Sequence, residues 1–474
     1  MIGRALVALA AVACALFSFA SAAATCSPLP GFEAALARAM PEIVSGRLEN
    51  GLRFVLVPRP DDPALSVRVA YDVGARDEAQ GRDGVAHLFE HMMFKGAGRV
   101  PDGGHFRVIR DVGGFTNAIT DYDTTQYWQN VPREALERTL FLEAERMRGL
   151  RLSEANLANQ RAAIREEGLG LENQPYVDAA LAFGLSLFEG TPYAHSPLGT
   201  PESLAAMRPE EAEAFQRRWY APSNAVVVLV GGFDAETARA ALDRTLGSVP
   251  ARPAPPARER ATLRDTPRTV LAEDPLAPFP IFATVWNGVA ADDPDEAAVA
   301  VLDDVLLGHP DARLVRGLTR DSALEAFSLP LAFRDLGLLA WAFVPRTFVS
   351  TAEIRERIAE EIRQLNDRPP DEEETCHSVH RVLRARLALV AEAEGVGAVL
   401  ARAALLQGDP RAYERELDAI ARVEPEVLSR VAERIFDGPM HTLEIEPVGL
   451  MRFVKRLLEW LPDGVGASLE GSLL

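Results

Sequence analysis

A proline-rich stretch near the middle of the chain limits how it can fold more than any other feature. Residues 249–258 read Val-Pro-Ala-Arg-Pro-Ala-Pro-Pro-Ala-Arg. Proline cannot extend a helix or donate to a central sheet, so this stretch predicts a stiff linker. Strand and helix patterns alternate on both sides of it. We therefore expect an α+β fold in which two duplicated halves of similar length are joined by this linker.

The same order of strand and helix patterns occurs in both halves. Short apolar or alternating segments predict strands, at 53–57, 66–73, 124–131, 225–230, 269–272, 281–286, 338–344 and 441–445. Longer amphipathic segments predict helices, at 83–94, 133–148, 154–167, 297–307, 351–366, 371–391 and 426–436. We place the first domain at 43–248, the linker at 249–268, the second domain at 269–447 and a C-terminal tail at 448–474.

The N-terminus predicts export. A short basic start is followed by an apolar run from Ala5 to Phe19 and then by small residues, the pattern of a signal peptide over 1–24 with cleavage near 22–24. A retained membrane anchor is the alternative, although the run is shorter than the roughly 20 residues of a membrane span. Lipid attached to Cys26 is a second alternative, which the preceding Thr25 fits poorly. After signal cleavage we expect no membrane span and a periplasmic or secreted location.

Charge and cysteine content exclude some classes of protein. The formal net charge is −19, which argues against a nucleic-acid partner because phosphate binding needs clustered lysine and arginine. Besides Cys14 in the signal peptide, the chain has only Cys26 and Cys376. Two cysteines so far apart predict no disulfide framework.

The segment 84–94 carries the chemistry, because it contains His87, Glu90 and His91 in the order His-x-x-Glu-His. Histidines four apart lie on one face of a helix, where two imidazoles can share one zinc ion. Glu90 projects beside them and can take a proton from zinc-bound water. An amphipathic helix with a polar face is the simpler alternative. However, the neighbouring residues are apolar, and burying such groups without a partner is costly.

On these residues the chain resembles the inverzincin, or pitrilysin-like, metallopeptidases, which include insulin-degrading enzyme and the mitochondrial processing peptidases. The resemblance covers roughly 43–447, is stronger in the first half, and its length matches the bacterial single-duplication branch. It implies two α/β sandwich domains forming half of a clam-shaped chamber for extended peptides. One Zn²⁺ per chain is expected, since the second half lacks the motif. A complete chamber would need a homodimer or a heterodimer with a related non-catalytic subunit.

The resemblance implies a glutamate as the third metal ligand, and two candidates are adjacent. Glu166 and Glu167 follow His91 by 75 and 76 residues, both within the spacing of the family. Glu167 is favoured because it follows Arg161 by six, as the ligand of the family does, whereas the spacing to the segment 172–176 favours Glu166. Gln160 stands where the family often has another glutamate, so a second carboxylate role is in doubt.

The resemblance also suggests substrate-binding residues. Asn117 and Ala118 match the family's substrate strand, to whose edge a peptide adds by main-chain hydrogen bonds; a plain Gly-Gly turn leading into a strand is the alternative. In the second half, Arg320 and Phe327 match an arginine and a tyrosine that reach over the substrate. Phe327 keeps the ring but loses the hydroxyl donor, and Arg320 reads equally well as a solvated helix residue.

Other histidines look structural. Cys376, His377 and His380 resemble a metal motif, but their charged surroundings predict a solvated helix face, and His105 and His195 are expected in loops. The favoured function is a zinc endopeptidase with Glu90 as the general base. The alternatives are a subunit of a paired peptidase with little activity alone, and a metal-dependent hydrolase acting on other bonds.

Overall fold

The computed structural model describes residues 26, 28–319, 321–346 and 348–448. The predicted signal peptide over 1–24, Arg320 and the tail from 449 onwards lie outside the described residues. None of the helices in the described part is long and apolar enough to cross a membrane.

The described residues form strands and helices in both halves of the chain. The strands are β1 (Val44–Arg47), β2 (Arg53–Pro58), β3 (Ala64–Tyr71), β4 (Phe115–Thr120), β5 (Thr125–Pro132), β6 (Ala225–Gly231), β7 (Thr269–Asp274), β8 (Ile281–Gly288), β9 (Ala323–Ala332), β10 (Gly337–Pro345) and β11 (Met440–Pro447). The helices of the first half are α1 (Phe32–Ala39), α2 (Val85–Met92), α3 (Gly104–Asp111), α4 (Leu136–Arg148), α5 (Glu154–Glu172), α6 (Val177–Leu187), α7 (Pro201–Ala206), α8 (Pro209–Trp219) and α9 (Ala235–Arg244). Those of the second half are α10 (Glu296–Leu306), α11 (Arg313–Leu318), α12 (Thr351–Asp367), α13 (Glu372–Leu389), α14 (Ala393–Leu406), α15 (Ala412–Ala421) and α16 (Pro425–Phe436).

The two sheets share one topology. The first has the order β1-β2-β6-β3-β5-β4 and the second the order β7-β11-β8-β10-β9. Apart from the additional strand β1, the five strands of the first sheet have the same order as those of the second. In each half the first of these five strands pairs in parallel with the last strand in sequence, β2 with β6 and β7 with β11. The remaining pairs are antiparallel. The predicted α+β fold with two halves of the same plan is therefore confirmed, while the exact domain boundaries stay a prediction.

Strand β6 shows how the first sheet is buried on both faces. All seven of its residues are buried, and alternate side chains enter different cores. Val227 and Leu229 join the core beneath the helices of the first half. Val226, Val228 and Val230 join a core built largely from the second half. A continuous apolar run is what a strand covered on both sides requires.

Each half supplies a helix that covers the sheet of the other. Helix α14, from the second half, packs on β3 and β6 of the first sheet. Helix α6, from the first half, packs on β7 and β11 of the second, where Phe183 and Leu187 join that sheet's core. Because each sheet is closed by the other half, the two halves share their apolar cores.

The segment 250–268, all of it described, contains no helix or strand, as a linker should. It is nevertheless held in place. The Arg258 guanidinium pairs with Asp72 at 2.9 Å and with Asp77 on the first half. Ala261 donates its backbone N–H to Asp335 on the second half. The linker is therefore fixed against both halves.

The expectation about the cysteines was wrong, because Cys26 and Cys376 form a disulfide across 350 residues of sequence. Cys376 lies on α13, and α1 packs against the same helix. Phe32 and Ala39 of α1 are buried in the core of the second half. This packing brings the start of the described chain to α13, which spacing in the sequence does not reveal. A cysteine bonded in this way has no thiol left to carry a lipid.

Reduction of this disulfide should lower stability. Cross-linking residues far apart in sequence reduces the entropy of the unfolded chain, and native disulfides contribute about 2–5 kcal/mol. We expect dithiothreitol to lower the melting temperature of the wild-type protein and to leave that of Cys376→Ser unchanged. Thermal unfolding with and without reductant measures this. Equal melting temperatures of oxidised wild type and Cys376→Ser would contradict the expected contribution.

Candidate metal centre

Helix α2 presents two histidines to one point. Gly84 precedes the helix with a left-handed φ of 89°, a conformation that glycine adopts at little cost. Leu88, Phe89 and Met92 are fully buried in the core. Their burial fixes the rotation of the helix, so His87 and His91 both face away from that core. Their ring centroids are 4.8 Å apart.

Glu167 on α5 meets both rings. Its Oε2 atom lies 3.7 Å from His87 Nε2 and 3.5 Å from His91 Nε2. These separations are too long for good N–H···O hydrogen bonds. They are close to the roughly 3.3 Å between two atoms that each lie about 2 Å from one tetrahedral zinc ion. The three side chains thus surround a space of the size that a zinc ion needs.

The protonation of His87 also suits a metal ligand. The residue is buried, with 7% exposure, and its Nδ1 has no hydrogen-bond partner among the described residues. Burial, and then the neighbouring His91, lower the pKa of His87 to about 4. The imidazole is therefore neutral at neutral pH, which is the form that binds a metal. The residues present fit a zinc ion.

The two adjacent glutamates are clearly separated by the geometry. Glu166 is exposed and its carboxylate pairs with Arg165 at 3.4 Å, whereas Glu167 faces the imidazoles. Gln160 is one step of seven earlier on α5 and therefore lies on the same helix face as Glu167. It is buried, and its amide donates to Asn159 at 2.6 Å. A neutral amide there can orient a neighbour but cannot act as a base.

Glu90 is partly buried beside the candidate ligands. Burial is the main cause that raises the pKa of Glu90, and the charge of Glu167 raises it further, while the neighbouring Thr120 opposes the change. A carboxylate whose pKa moves toward neutrality is better matched to taking up and releasing a proton. Helix α2, which carries Glu90, also packs against strand β4.

Strand β4 forms the edge of the first sheet next to this site. Asn117 and Ala118 lie on it, with Asn117 exposed and Ala118 half-buried against the core. Because β5 occupies only one side of β4, its other backbone edge has no strand partner among the described residues. An extended peptide could add there.

The two substrate residues expected in the second half have different outcomes. Arg320 lies outside the described residues. Phe327 lies on β9, the corresponding edge strand of the second sheet, with 52% of its surface exposed. The structure does not bring Phe327 together with His87, His91 and Glu167 in any contact among the described residues.

The remaining histidines are partly as expected. His195 lies in a loop and His377 on an exposed helix face. His105 is a correction: it lies on α3 rather than in a loop, with 2% exposure, and its ring packs edge-on against Phe94. His380 is also less exposed than predicted, since its Nε2 lies 3.5 Å from the Cys26 sulfur. The two nearby sulfurs are bonded to each other and are not available as metal ligands.

Two tyrosines that support the site were missed from the sequence. The fully buried Tyr127 and Tyr220 donate their hydroxyls to backbone carbonyls of α2, those of Phe89 at 3.2 Å and Ala86 at 3.4 Å. Both tyrosines are far from residues 84–94 in sequence, so no local pattern indicated that they contact α2. They hold the helix from its core side and so restrict its movement.

Known proteins resemble the chain along most of its length. Residues 53–183 match the family profile of insulinase, peptidase family M16. Residues 206–377 match the profile described as the peptidase M16 inactive domain. The chain is 30% identical over 199 residues to zinc protease PqqE of Helicobacter pylori, covering 42% of this chain and 45% of that protein. It is 27% identical over 419 residues to an uncharacterised zinc protease of Mycobacterium leprae, covering 87% and 93%.

Solved structures share the fold. A protease from Helicobacter pylori superposes with a TM-score of 0.79 at 23% identity, over 86% of this chain and 100% of that one. The periplasmic protease PqqL of Escherichia coli superposes with a TM-score of 0.74 at 18% identity, over 91% of this chain and 50% of that one. The matched region spans only 45% of the length of PqqE and 24% of the length of probable zinc protease PqqL.

Proposed function

The chain belongs to the insulinase family of peptidases, family M16, and we propose that it is a zinc-dependent endopeptidase that hydrolyses extended peptides. The observation that carries the proposal is the convergence of His87, His91 and Glu167, whose ligand atoms all lie within 4.8 Å of one another. One zinc ion per chain would be held by these three side chains. Relatives named zinc proteases support this choice of metal.

The reaction follows from the residues around this centre. When bound, zinc polarises the scissile carbonyl and lowers the pKa of a coordinated water. Glu90 is placed beside the ligands to accept the water's proton, and it then delivers that proton to the leaving amine. Its raised pKa suits both steps. Burial of His87 keeps its imidazole neutral, the form that would bind a metal.

Strand β4 would hold the substrate. A peptide in extended form would pair with the outer backbone edge at Asn117 and Ala118, taking the place of the bond from Ala118 N–H to Asn117 Oδ1 at 2.9 Å. This would position its carbonyl near Glu90 without requiring a particular sequence. Folded proteins cannot present such a strand, so unfolded segments and peptides are the expected substrates. In this proposal Arg320 and Phe327 contact the substrate.

Assembly and location follow the same proposal. The chain contains two halves of the shared plan, and a four-domain chamber would require a homodimer or a heterodimer with a related non-catalytic subunit. Export is supported by the signal-like segment over 1–24 and by the disulfide, since disulfides persist in oxidising compartments. A periplasmic location is described for the structurally similar PqqL.

A second candidate function is a subunit of a paired peptidase with little activity alone. Gln160 and Phe327 favour it, because Gln160 lacks the charge of the glutamate that the family often has there and Phe327 lacks the hydroxyl of the family's tyrosine. Digestion of a peptide library by the purified chain separates the two functions. Cleavage by the chain alone supports the first, whereas cleavage only after a sister protein is added supports the second.

The ligand assignment gives a direct prediction. Glu167→Gln should weaken zinc binding by more than about 100-fold, because even indirect supports of metal sites are worth about 10–100-fold. Glu166→Gln is the matched control, with the same chemical change one residue away, and should bind zinc as the wild type does. Competition with a chelator measures both. A larger loss for Glu166→Gln would transfer the ligand role to Glu166.

A further inference from the structure

The N-terminus of α2 is held by a carboxylate from outside the helix. Gly84, at the start of the helix, has no side chain to cap it. Glu78 supplies the missing acceptors: one carboxylate oxygen accepts from Gly84 N at 2.7 Å and the other from Ala86 N at 2.8 Å. The Glu78 side chain is completely buried, with 0% exposure. Two backbone donors that would otherwise lack partners are satisfied by one residue.

The backbone that carries Glu78 is itself fixed. Its neighbours Arg76 and Asp77 are buried and pair with Asp335 at 2.6 Å and with Arg258, respectively. These partners belong to the second half and to the linker. Glu78 therefore connects the first turn of α2 to a segment that is held by ion pairs to the second half and the linker.

Residues 195–203, which comprise a loop and the start of α7, add further contacts to this region. Ser203 donates its hydroxyl to the carbonyl of Asp83 at 2.6 Å. His195 Nδ1 lies 3.5 Å from Glu78 Oε2. Gly84 approaches Gly199 so closely that an added Cβ would lie 2.7 Å from the Gly199 Cα atom. The start of the helix is thus enclosed on two sides.

Glu78, Asp83 and His195 could be read as a second metal site, since their ligand atoms lie within 4.8 Å of one another. However, both Glu78 oxygens already accept backbone N–H groups at short distances. A metal ion would compete with these bonds for the electron density of the same carboxylate. A capping role explains the same cluster without that competition.

We propose that Glu78 is a positioning residue of the metal site, whose carboxylate fixes the first turn of α2 and thereby raises the zinc affinity of the His87 and His91 pair. The inference rests on the proposed zinc function. An eight-residue helix is too short to be stable alone, so its ends must be held by other groups. His87 directly follows the capped Ala86, whereas His91 lies one turn further on. Loss of the cap would therefore displace one imidazole relative to the other.

Zinc affinity tests this proposal. Glu78→Ala should raise the zinc dissociation constant by about 10–100-fold, the range for groups that orient metal ligands. Glutamine has nearly the same size as glutamate and keeps one of the two acceptor oxygens. Glu78→Gln should therefore show a smaller increase in the zinc dissociation constant. Asp371→Ala is the matched control, because Asp371 caps α13 in the second half by accepting from Glu374 N. It should leave the dissociation constant unchanged.

The absorption spectrum of the cobalt-substituted protein supplies a second readout, because d–d bands report ligand geometry. We expect Glu78→Ala to change these bands and Asp371→Ala to leave them as in the wild type. Wild-type zinc affinity and an unchanged cobalt spectrum in a folded Glu78→Ala would overturn the positioning role. If Glu78→Ala does not fold, a wild-type zinc dissociation constant and cobalt spectrum in Glu78→Gln would overturn the positioning role. Absence of zinc binding by the wild type would instead overturn the proposed function.

Discussion

Replacing Glu90 with glutamine should reduce peptide cleavage by about 100- to 10,000-fold, the usual contribution of a positioned general base. Glutamine has nearly the same shape but cannot take a proton from water. Because His87, His91 and Glu167 are unchanged, zinc should remain bound at one ion per chain. Rates of cleavage of a fluorescent peptide and metal content measure the two effects on the same sample.

The Glu90→Gln result is informative only if the fold is intact. Glu166→Gln, on the exposed side of α5, is the control and should cleave at the wild-type rate. An active Glu90→Gln enzyme would remove Glu90 from the chemistry. Loss of zinc from Glu90→Gln would show that this carboxylate helps to hold the metal.

Arg76→Met should destabilise the protein by about 3–5 kcal/mol, the range for breaking a buried ion pair by removal of one partner. The Arg76 side chain is 2% exposed and lies 2.6 Å from Asp335 and 3.5 Å from Asp123, themselves 6% and 4% exposed. It also donates to the Tyr193 hydroxyl at 2.9 Å. Removing the guanidinium leaves two carboxylates buried without their cation, one in each half.

An exposed pair in the same region provides the control. Arg260 pairs with Asp292 on the surface, with 56% and 42% exposure, and such pairs contribute only about 0–1 kcal/mol. The midpoint denaturant concentration for unfolding of Arg260→Met should therefore be close to that of the wild type and well above that of Arg76→Met. Guanidinium unfolding of the metal-free proteins measures both. Similar midpoints for the two variants would show that Arg76 does not hold the halves together.

Local sequence patterns predicted much of the fold because they report local requirements. The apolar run of β6 indicated a strand, and the four-residue spacing of His87 and His91 indicated one helix face. Glu167 could be chosen over Glu166 only through the family's spacing, since both are glutamates on the same helix. In the structure the two side chains point in different directions, because adjacent helical residues lie about 100° apart around the helix axis.

Features that depend on contacts between the halves were not predictable from such patterns. Helix α14 was missed because Gly395 and Gly397 weaken its helical signal, although it covers the first sheet. Gly397 of this helix lies against Arg68: a Cβ atom added to Gly397 would be 3.5 Å from the Arg68 Nε atom. The Cys26–Cys376 bond was missed for a similar reason, since only the packing of α1 on the second half brings the sulfurs together. His105 shows the same limit, because its burial depends on Phe94 rather than on its own segment.

X-ray data collected above and below the zinc absorption edge, on crystals grown with zinc, test the central claim most directly. We predict one strong anomalous peak per chain that lies about 2 Å from His87 Nε2, His91 Nε2 and a Glu167 carboxylate oxygen. A peak elsewhere, or no peak between these three side chains in a zinc-saturated crystal, would contradict the assignment.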